Sequence, residues 1–147
     1  MGLLGEKIYL FSEVKGSVTL DNKPLSGARV IRMVDWKDRE YTDEVTTDAD
    51  GSFSFPPMKG NGRILLAQFV AYQTMTVEYE GTEWLIWRTV KIRPDLQGEL
   101  VDDEHLDGVE IDVACELSEP ERLIKLLGSV LRTRCFFRNP IGEEISE

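Results

Sequence analysis

The sequence predicts a mainly β fold, arranged as an antiparallel β-sandwich. Residues 14–20 alternate apolar and polar side chains, which is the period of a strand with one buried face and one solvent-facing face. Turns rich in Asp, Asn, Gly and Pro follow at residues 21–27 and 47–51. Short strands joined by tight turns are typical of a sandwich. A chain of 147 residues can bury the core of one domain, which we place over residues 1–147.

The same alternation predicts the other strands in order. They cover residues 6–11, 28–36, 41–48, 52–55, 63–79, 83–93, 109–117 and 129–138. Arg32 falls on the apolar face of its segment with Val30 and Val34, which predicts a bulge or a strand that leaves the sheet there. Glu80 and Gly81 predict a tight hairpin.

One helix is predicted, over residues 119–127. Residues 118–121, Ser-Glu-Pro-Glu, have the spacing of a capping box with Pro in the first turn. Leu123, Ile124, Leu126 and Leu127 supply one apolar face, and Gly128 fits the C-terminal cap. We expect this helix to pack on a sheet and the residues from about 139 to form a flexible tail.

Residues 14–55 also resemble a known family. Gly16-x-Val18 is followed by Pro24-Leu25-x-Gly27-Ala28-x-Val30, and then by Thr47-Asp48-Ala49-Asp50-Gly51-x-Phe53-x-Phe55. This pattern resembles the transthyretin-like, carboxypeptidase-regulatory-like domain family. The resemblance implies a prealbumin-like sandwich that serves as a binding, stabilising or presenting module, and it does not imply an enzyme.

The charge is strongly acidic and unevenly distributed. The chain has 17 basic and 27 acidic residues, a net charge of −10, which makes nucleic acid an unsuitable partner. Residues 95–121 hold eleven acids and no Lys or Arg. Such a segment is either a solvated face that keeps the protein soluble or a surface that steers a basic partner.

Trp84 and Trp87 differ by three positions, so a regular strand would point them to opposite faces. Trp84 is then expected in the core, and Trp87 either beneath the predicted helix or at the surface. An exposed Trp87 beside Arg88 would anchor a partner protein, because interface hot spots are enriched in Trp and Arg.

The two cysteines, Cys115 and Cys135, lack the spacing of a zinc or redox motif. Both fall at inward positions, where buried free thiols are expected in a cytosol and a disulfide in an exported protein. The sequence shows neither a secretory leader nor an apolar run of about 18 residues. We therefore predict a cytoplasmic protein without a membrane partner, or a periplasmic one if a signal peptide has been removed.

Catalytic and metal-binding patterns are weak. His105 is the one histidine; a catalytic His would be expected in a concave pocket, and no Gly-x-Ser-x-Gly elbow accompanies it. The hydroxyisourate hydrolases and iron dioxygenases with related sandwiches need at least two histidines. Residues 48–51 resemble part of a calcium loop, but Thr46 and Pro57 occupy its first and last ligand positions. We predict no enzyme, no metal and no cofactor.

We therefore interpret the chain as a non-enzymatic protein-binding module, and more specifically as a bacterial immunity or adaptor protein that neutralises a secreted, basic toxin or effector. The alternative is an exported module associated with the envelope or with carbohydrate. The candidate partner-binding residues are Asp102, Asp103, Glu104, Asp107, Trp87 and Arg88.

Overall fold

The computed structural model describes residues 8–61 and 69–145; the predicted strand positions 6–7 and 63–68 lie outside the described residues. The described part is all β, with fourteen strands, so the predicted β content is confirmed. The strands are β1 (Ile8–Phe11), β2 (Val14–Leu20), β3 (Lys23–Pro24), β4 (Arg29–Trp36), β5 (Arg39–Thr46), β6 (Ser52–Phe55), β7 (Met58–Gly60), β8 (Ala71–Tyr79), β9 (Thr82–Lys91), β10 (Ile111–Glu116), β11 (Arg122–Leu126), β12 (Ser129–Thr133), β13 (Cys135–Phe137) and β14 (Glu143–Glu144).

The strands form two large sheets and one small sheet. The first has seven strands in the order β14-β11-β12-β9-β8-β4-β5. The second has five strands: β13-β10-β2-β3 in order, with β6 also paired to β2. β1 and β7 form a separate pair. Because β2 and β10 run parallel, the second sheet is mixed, and the prediction of a purely antiparallel sandwich is wrong for this pair.

The two large sheets pack around a common hydrophobic core. Val30 and Met75 enter it from the seven-stranded sheet, and Val18 enters it from the five-stranded sheet. Aromatic rings also meet between the sheets, where the centroid of Trp87 on β9 lies 6.2 Å from that of Phe137 on β13. Two sheets that share one apolar interior form a β-sandwich.

The predicted helix over residues 119–127 is wrong, because a β-hairpin takes its place. β11 and β12 pair as far as Leu126 and Ser129, and Leu127 and Gly128 form the turn, with φ +81° at the glycine. Ile124 and Leu126 are buried two residues apart, so the apolar residues fit the period of a strand as well as that of a helix. A predicted helix of nine residues is also short for stability without tertiary packing.

Two smaller predictions are also corrected. Arg32 lies in a regularly paired part of β4, without a bulge, and its side chain is buried. Residues 139–145 are docked and do not form a free tail. Ile141 is 7% exposed, β14 pairs with β11, and the Gly142 N–H donates to the Asp102 carboxylate at 2.9 Å.

Candidate functional site

The acidic connection between β9 and β10, residues 92–110, is anchored in the core by Glu99. Glu99 is 3% exposed, and its carboxylate lies 3.1 Å from Lys91 Nζ. The N–H and hydroxyl of Ser12 donate to the same carboxylate, and Gln73 Nε2 donates at 3.2 Å. Burial lowers the pKa of Lys91, and the Glu99 charge opposes that effect. A buried ion pair with this many donors fixes the root of the connection.

A second buried cation, Arg32, extends this network across the sandwich. Its Nη1 donates to Ser12 O at 2.9 Å, and its Nε and Nη2 donate to the two carboxylate oxygens of Asp43 at 3.0 and 2.7 Å. The guanidinium also lies 4.9 Å from the ring centroid of Phe11 and 4.4 Å from that of Phe55. Arg32 is therefore a core residue whose charge is satisfied by a bidentate carboxylate and two aromatic faces.

Asp102 shapes the outer part of the connection. One carboxylate oxygen accepts the N–H groups of Glu104 and His105 at 3.0 and 2.7 Å and lies 2.8 Å from His105 Nδ1. The other accepts the Gly142 N–H at 2.9 Å. The Gly142 donor is the main cause that lowers the pKa of Asp102 to about 2; partial burial opposes it and the His105 and Glu104 donors reinforce it. Asp102 is thus charged, but both of its carboxylate oxygens are bonded to other residues of the chain.

Gly108 closes this part of the chain. Its N–H donates to His105 O at 3.1 Å, and its φ of +88° lies in the left-handed region. A Cβ at this position would be 1.9 Å from Gln97 O. Only glycine therefore fits here without moving the backbone that carries the loop.

Gly108→Ala is expected to lower the free energy of unfolding by about 3 kcal/mol or more, because left-handed strain and a backbone clash add together. Gly27→Ala is the matched control, since Gly27 has a similar φ of +78° but no atom within 4 Å of its Cβ position; it should cost about 1 kcal/mol. Urea denaturation of both variants measures the difference. Equal losses would contradict the close packing of residues 97 and 108.

The tip of the connection is exposed and carries both charge and apolar surface. Asp103, Glu104 and Asp107 are exposed, and among them Leu106 is 61% exposed. Its backbone carbonyl is held by Arg93 Nη1 at 3.0 Å. A fixed backbone thus presents an aliphatic side chain in the middle of three carboxylates.

Three more exposed aliphatic side chains belong to the same connection or to the hairpin turn bonded to it. Leu127, 49% exposed, is held there because its N–H donates to Val101 O at 2.7 Å. Ile92 lies next to it, since its Cδ1 is 2.6 Å from the Cβ position of Gly128. Leu96 belongs to the same connection and is exposed like Ile92. We call the following residues the loop surface: Ile92, Leu96, Asp103, Glu104, Leu106, Asp107 and Leu127.

Other acids of residues 95–121 serve the fold. Glu116 accepts hydrogen bonds from Thr19, Asn22 and Ser118; burial by itself raises its pKa, but these donors, those of Ser118 first, lower it to about 2. Asp112 pairs with Arg138 at 2.7 Å. The acidic segment is therefore divided between structural carboxylates and the few that face solvent at the loop surface.

His105 lines a cleft of about 420 Å³ next to the loop surface, between residues 102–105, 125–127 and 140–143. A concave pocket is what a catalytic role for His105 requires. However, the described residues that line the cleft include no Ser, Thr, Cys or Tyr that could act as a nucleophile beside the histidine. Asp102 and His105 instead form a partly exposed pair that closes the loop.

Trp87 and Arg88, the other predicted partner-binding residues, lie apart from the acids on β9. The pairing shifts between Met75 and Thr76, so a bulge at Ile86 brings Trp84 and Trp87 to the same face, and the prediction of opposite faces is wrong. Trp87 is 0% exposed and donates from Nε1 to a buried Gln side chain at 3.1 Å. It is therefore unavailable as a surface anchor, whereas Arg88 is exposed.

Cys115 and Cys135 form a disulfide that joins β10 to β13, where the two residues are direct cross-strand partners. The expectation of free thiols is therefore wrong, and the alternative of a disulfide is the arrangement found. The bridge ties the short strand β13, which carries Phe137 against Trp87, to the centre of the five-stranded sheet.

The described residues, 8–61 and 69–145, contain no group of three or more His, Cys, Asp or Glu side chains placed to hold a metal ion. They also contain no helix with the length and apolar character needed to cross a membrane.

Comparison with curated proteins gives no match, and comparison with solved structures gives none either. A protein-family model does match, over residues 14–120, which span β2 to the end of the turn that precedes β11. Its description is a domain of unknown function, DUF6795. The matched region includes the whole acidic connection and its anchor residues Lys91 and Glu99. Because the match covers well over half of the sequence, the chain belongs to the DUF6795 family.

Proposed function

We propose that this protein is a non-catalytic binding module and that its loop surface receives a basic partner protein. One observation carries the proposal: four exposed aliphatic side chains and three exposed carboxylates lie on one anchored connection and on the hairpin turn bonded to it. Soluble proteins expose isolated aliphatic residues commonly, but neighbouring ones with a charged rim mark interaction sites.

The two kinds of side chain would act at different stages of binding. Asp103, Glu104 and Asp107 supply a negative potential that accelerates encounter with a positively charged surface. Leu106 and Leu127 then lose water on contact and supply affinity, since apolar burial stabilises a complex by about 25 cal/mol per Å² before the costs of association. The anchor at Glu99 limits the entropy that the loop loses on binding.

The finer form of the proposal concerns the kind of partner. A sandwich that resembles the transthyretin-like family over residues 14–55, with an acidic binding face, fits an immunity or adaptor protein that blocks a secreted toxin or effector. A toxin that acts on nucleic acid or on anionic membranes carries a basic surface, which is complementary to the loop surface. In this form the protein works in the cytoplasm of the cell that it protects.

A second candidate is an exported module associated with the envelope. The disulfide between Cys115 and Cys135 favours this candidate, because disulfides persist in oxidising compartments and are rare in the cytosol. Both candidates use the same loop surface, so they differ in compartment and partner rather than in the site.

Neutralising the three exposed acids, as Asp103→Asn, Glu104→Gln and Asp107→Asn together, is expected to slow association about tenfold at low salt and to flatten its dependence on salt. The partner is first obtained by affinity capture from the native cells as a companion in constant stoichiometry. Association and dissociation rates are then measured by surface plasmon resonance at several ionic strengths.

The matched control is Glu13→Gln, Glu40→Gln and Glu83→Gln together. These three residues are also exposed, and they lie outside the loop surface. Their substitution removes the same net charge as the loop variant. This variant should associate nearly as fast as the wild type. Equal slowing by both triple variants would show a net-charge effect, and unchanged rates in the loop variant would refute the loop surface as the docking site.

A further inference from the structure

A groove opens in the seven-stranded sheet where β9 and β12 separate. The two strands pair at only two positions, Arg132 with Arg88 and Thr133 with Trp87. Beyond these two pairs, the two strands are joined by a side-chain hydrogen bond, which Thr89 Oγ1 donates to Val130 O at 2.9 Å. The opening is about 350 Å³ in volume, which is within the range of small-ligand pockets.

Two like charges face each other at the end of this groove. Arg88 and Arg132 are direct cross-strand partners, and like charges in that position destabilise a sheet. Arg132 is partly compensated by Glu121, at 3.2 Å. The Arg88 side chain forms no hydrogen bond or ion pair within the described residues, and no lining residue of the groove is acidic. In a chain of net charge −10, this is a local excess of about one positive charge.

Apolar and aromatic side chains line much of the rest of the groove, together with the uncharged polar residues Gln73, Thr74 and Thr89. Tyr72, 59% exposed, and Val130, 47% exposed, line it together with Val90 and Leu123. Tyr72 pairs directly with Val90 across β8 and β9, so the tyrosine ring and the valine lie side by side on the same face. The face of a ring packs well against such a surface.

We propose that this groove binds a carboxylate attached to a ring. The planar guanidinium of Arg88 would hold the carboxylate through two parallel N–H donors, with Arg132 as the second cation. The ring would pack against Tyr72, Val90 and Val130. A single carboxylate matches the one uncompensated charge, whereas a phosphate dianion would leave a net negative charge in the groove. The ring can belong to an aromatic acid or to a sugar acid.

The test uses sodium benzoate and sodium glucuronate as probes, with benzamide and glucose as their uncharged counterparts. Amide chemical shifts of the whole protein are followed by NMR up to about 50 mM probe, a range that detects millimolar affinity. We expect saturable shifts at residues 72–74, 88–90 and 130–132 with at least one of the two acids. The uncharged counterparts should bind at least about tenfold more weakly.

Arg88→Gln should weaken the acid about tenfold, and Arg88→Lys should restore only part of the affinity, because lysine lacks the planar fork. Arg39→Gln, an exposed arginine at the far edge on β5, is the matched control and should bind as the wild type does. The triple variant Asp103→Asn, Glu104→Gln and Asp107→Asn should also bind the acid as the wild type does. The test of the groove is therefore independent of the test of the loop surface.

Binding of benzoate alone or of glucuronate alone supports the proposal and identifies the kind of ring. Three results would overturn it: no saturable shift with either acid, affinity that Arg88→Gln leaves unchanged, or tighter binding of inorganic phosphate than of both acids. The Arg88 side chain is exposed and has no bonding partner among the described residues, so its substitution does not threaten folding.

Discussion

Glu99→Ala is expected to lower the free energy of unfolding by about 3–5 kcal/mol, because it leaves a buried cation without its partner. Lys91 has a fully buried side chain, and its other acceptor, Asp95 O at 2.7 Å, is a neutral carbonyl. The substitution also removes the acceptor for the N–H and hydroxyl of Ser12 and for Gln73 Nε2. Unsatisfied buried donors add to the loss.

Urea denaturation monitored by tryptophan fluorescence measures this loss. Glu110→Ala, an exposed carboxylate in the same connection, is the control and should stay within about 0.5 kcal/mol of the wild type. Replacing both partners, as Lys91→Met with Glu99→Leu, should recover part of the stability, since an apolar pair has no charge to desolvate while the Ser12 and Gln73 donors still lack their acceptor. A loss below about 1 kcal/mol in Glu99→Ala would mean that water reaches Lys91.

The same substitution links stability to the proposed function. Glu99 joins the acidic connection to the β1–β2 bend, to β8 and to β9, so its loss frees the segment that carries the loop surface. We expect the Glu99→Ala variant, under conditions where it remains folded, to bind the partner more weakly than the wild type, because ordering the loop then costs entropy during association.

The strands could be predicted from the sequence because alternation reports burial directly. Residues 14–20 and 109–117 show this clearly, and β2 and β10 lie there. Residues 119–127 could not be assigned in the same way, since Leu123, Ile124, Leu126 and Leu127 satisfy both periods. This segment is a strand because β12 pairs with it on one side and β14 on the other. Such contacts cannot be read from the local sequence pattern.

Only part of the candidate site could be predicted from the sequence. Composition revealed an acidic segment, but it could not show that Glu99 is buried against Lys91 or that Asp102 is committed to Gly142. Both depend on residues farther away in the sequence, because Ser12 and Gln73 also bond to Glu99, and Gly142 lies 40 residues from Asp102. Leu127 was missed for the same reason, because its place beside the acidic tip follows from the hairpin turn. Trp87 was misplaced because a bulge one residue earlier changed the face of the strand.

Removing the disulfide, as Cys115→Ala with Cys135→Ala, is expected to lower the free energy of unfolding by about 2–4 kcal/mol. The bridge closes a segment in which the two cysteines are 20 residues apart, and it limits the freedom of the unfolded chain. The wild type in reductant should unfold at the same urea concentration as the double variant in buffer. The double variant itself should not respond to reductant, and any response would reveal an effect of the reagent unrelated to the bridge.

The stability that the disulfide contributes also bears on the cellular compartment in which the protein functions. If the reduced wild type remains folded and binds its partner at full strength, the bridge is dispensable and the cytoplasmic immunity or adaptor role is favoured. If reduction unfolds it near body temperature, the protein needs an oxidising compartment, which favours the envelope-associated role. Titration of thiols on protein taken directly from its native cells decides the matter independently, since Cys115 and Cys135 would react after denaturation only if the bridge had not formed.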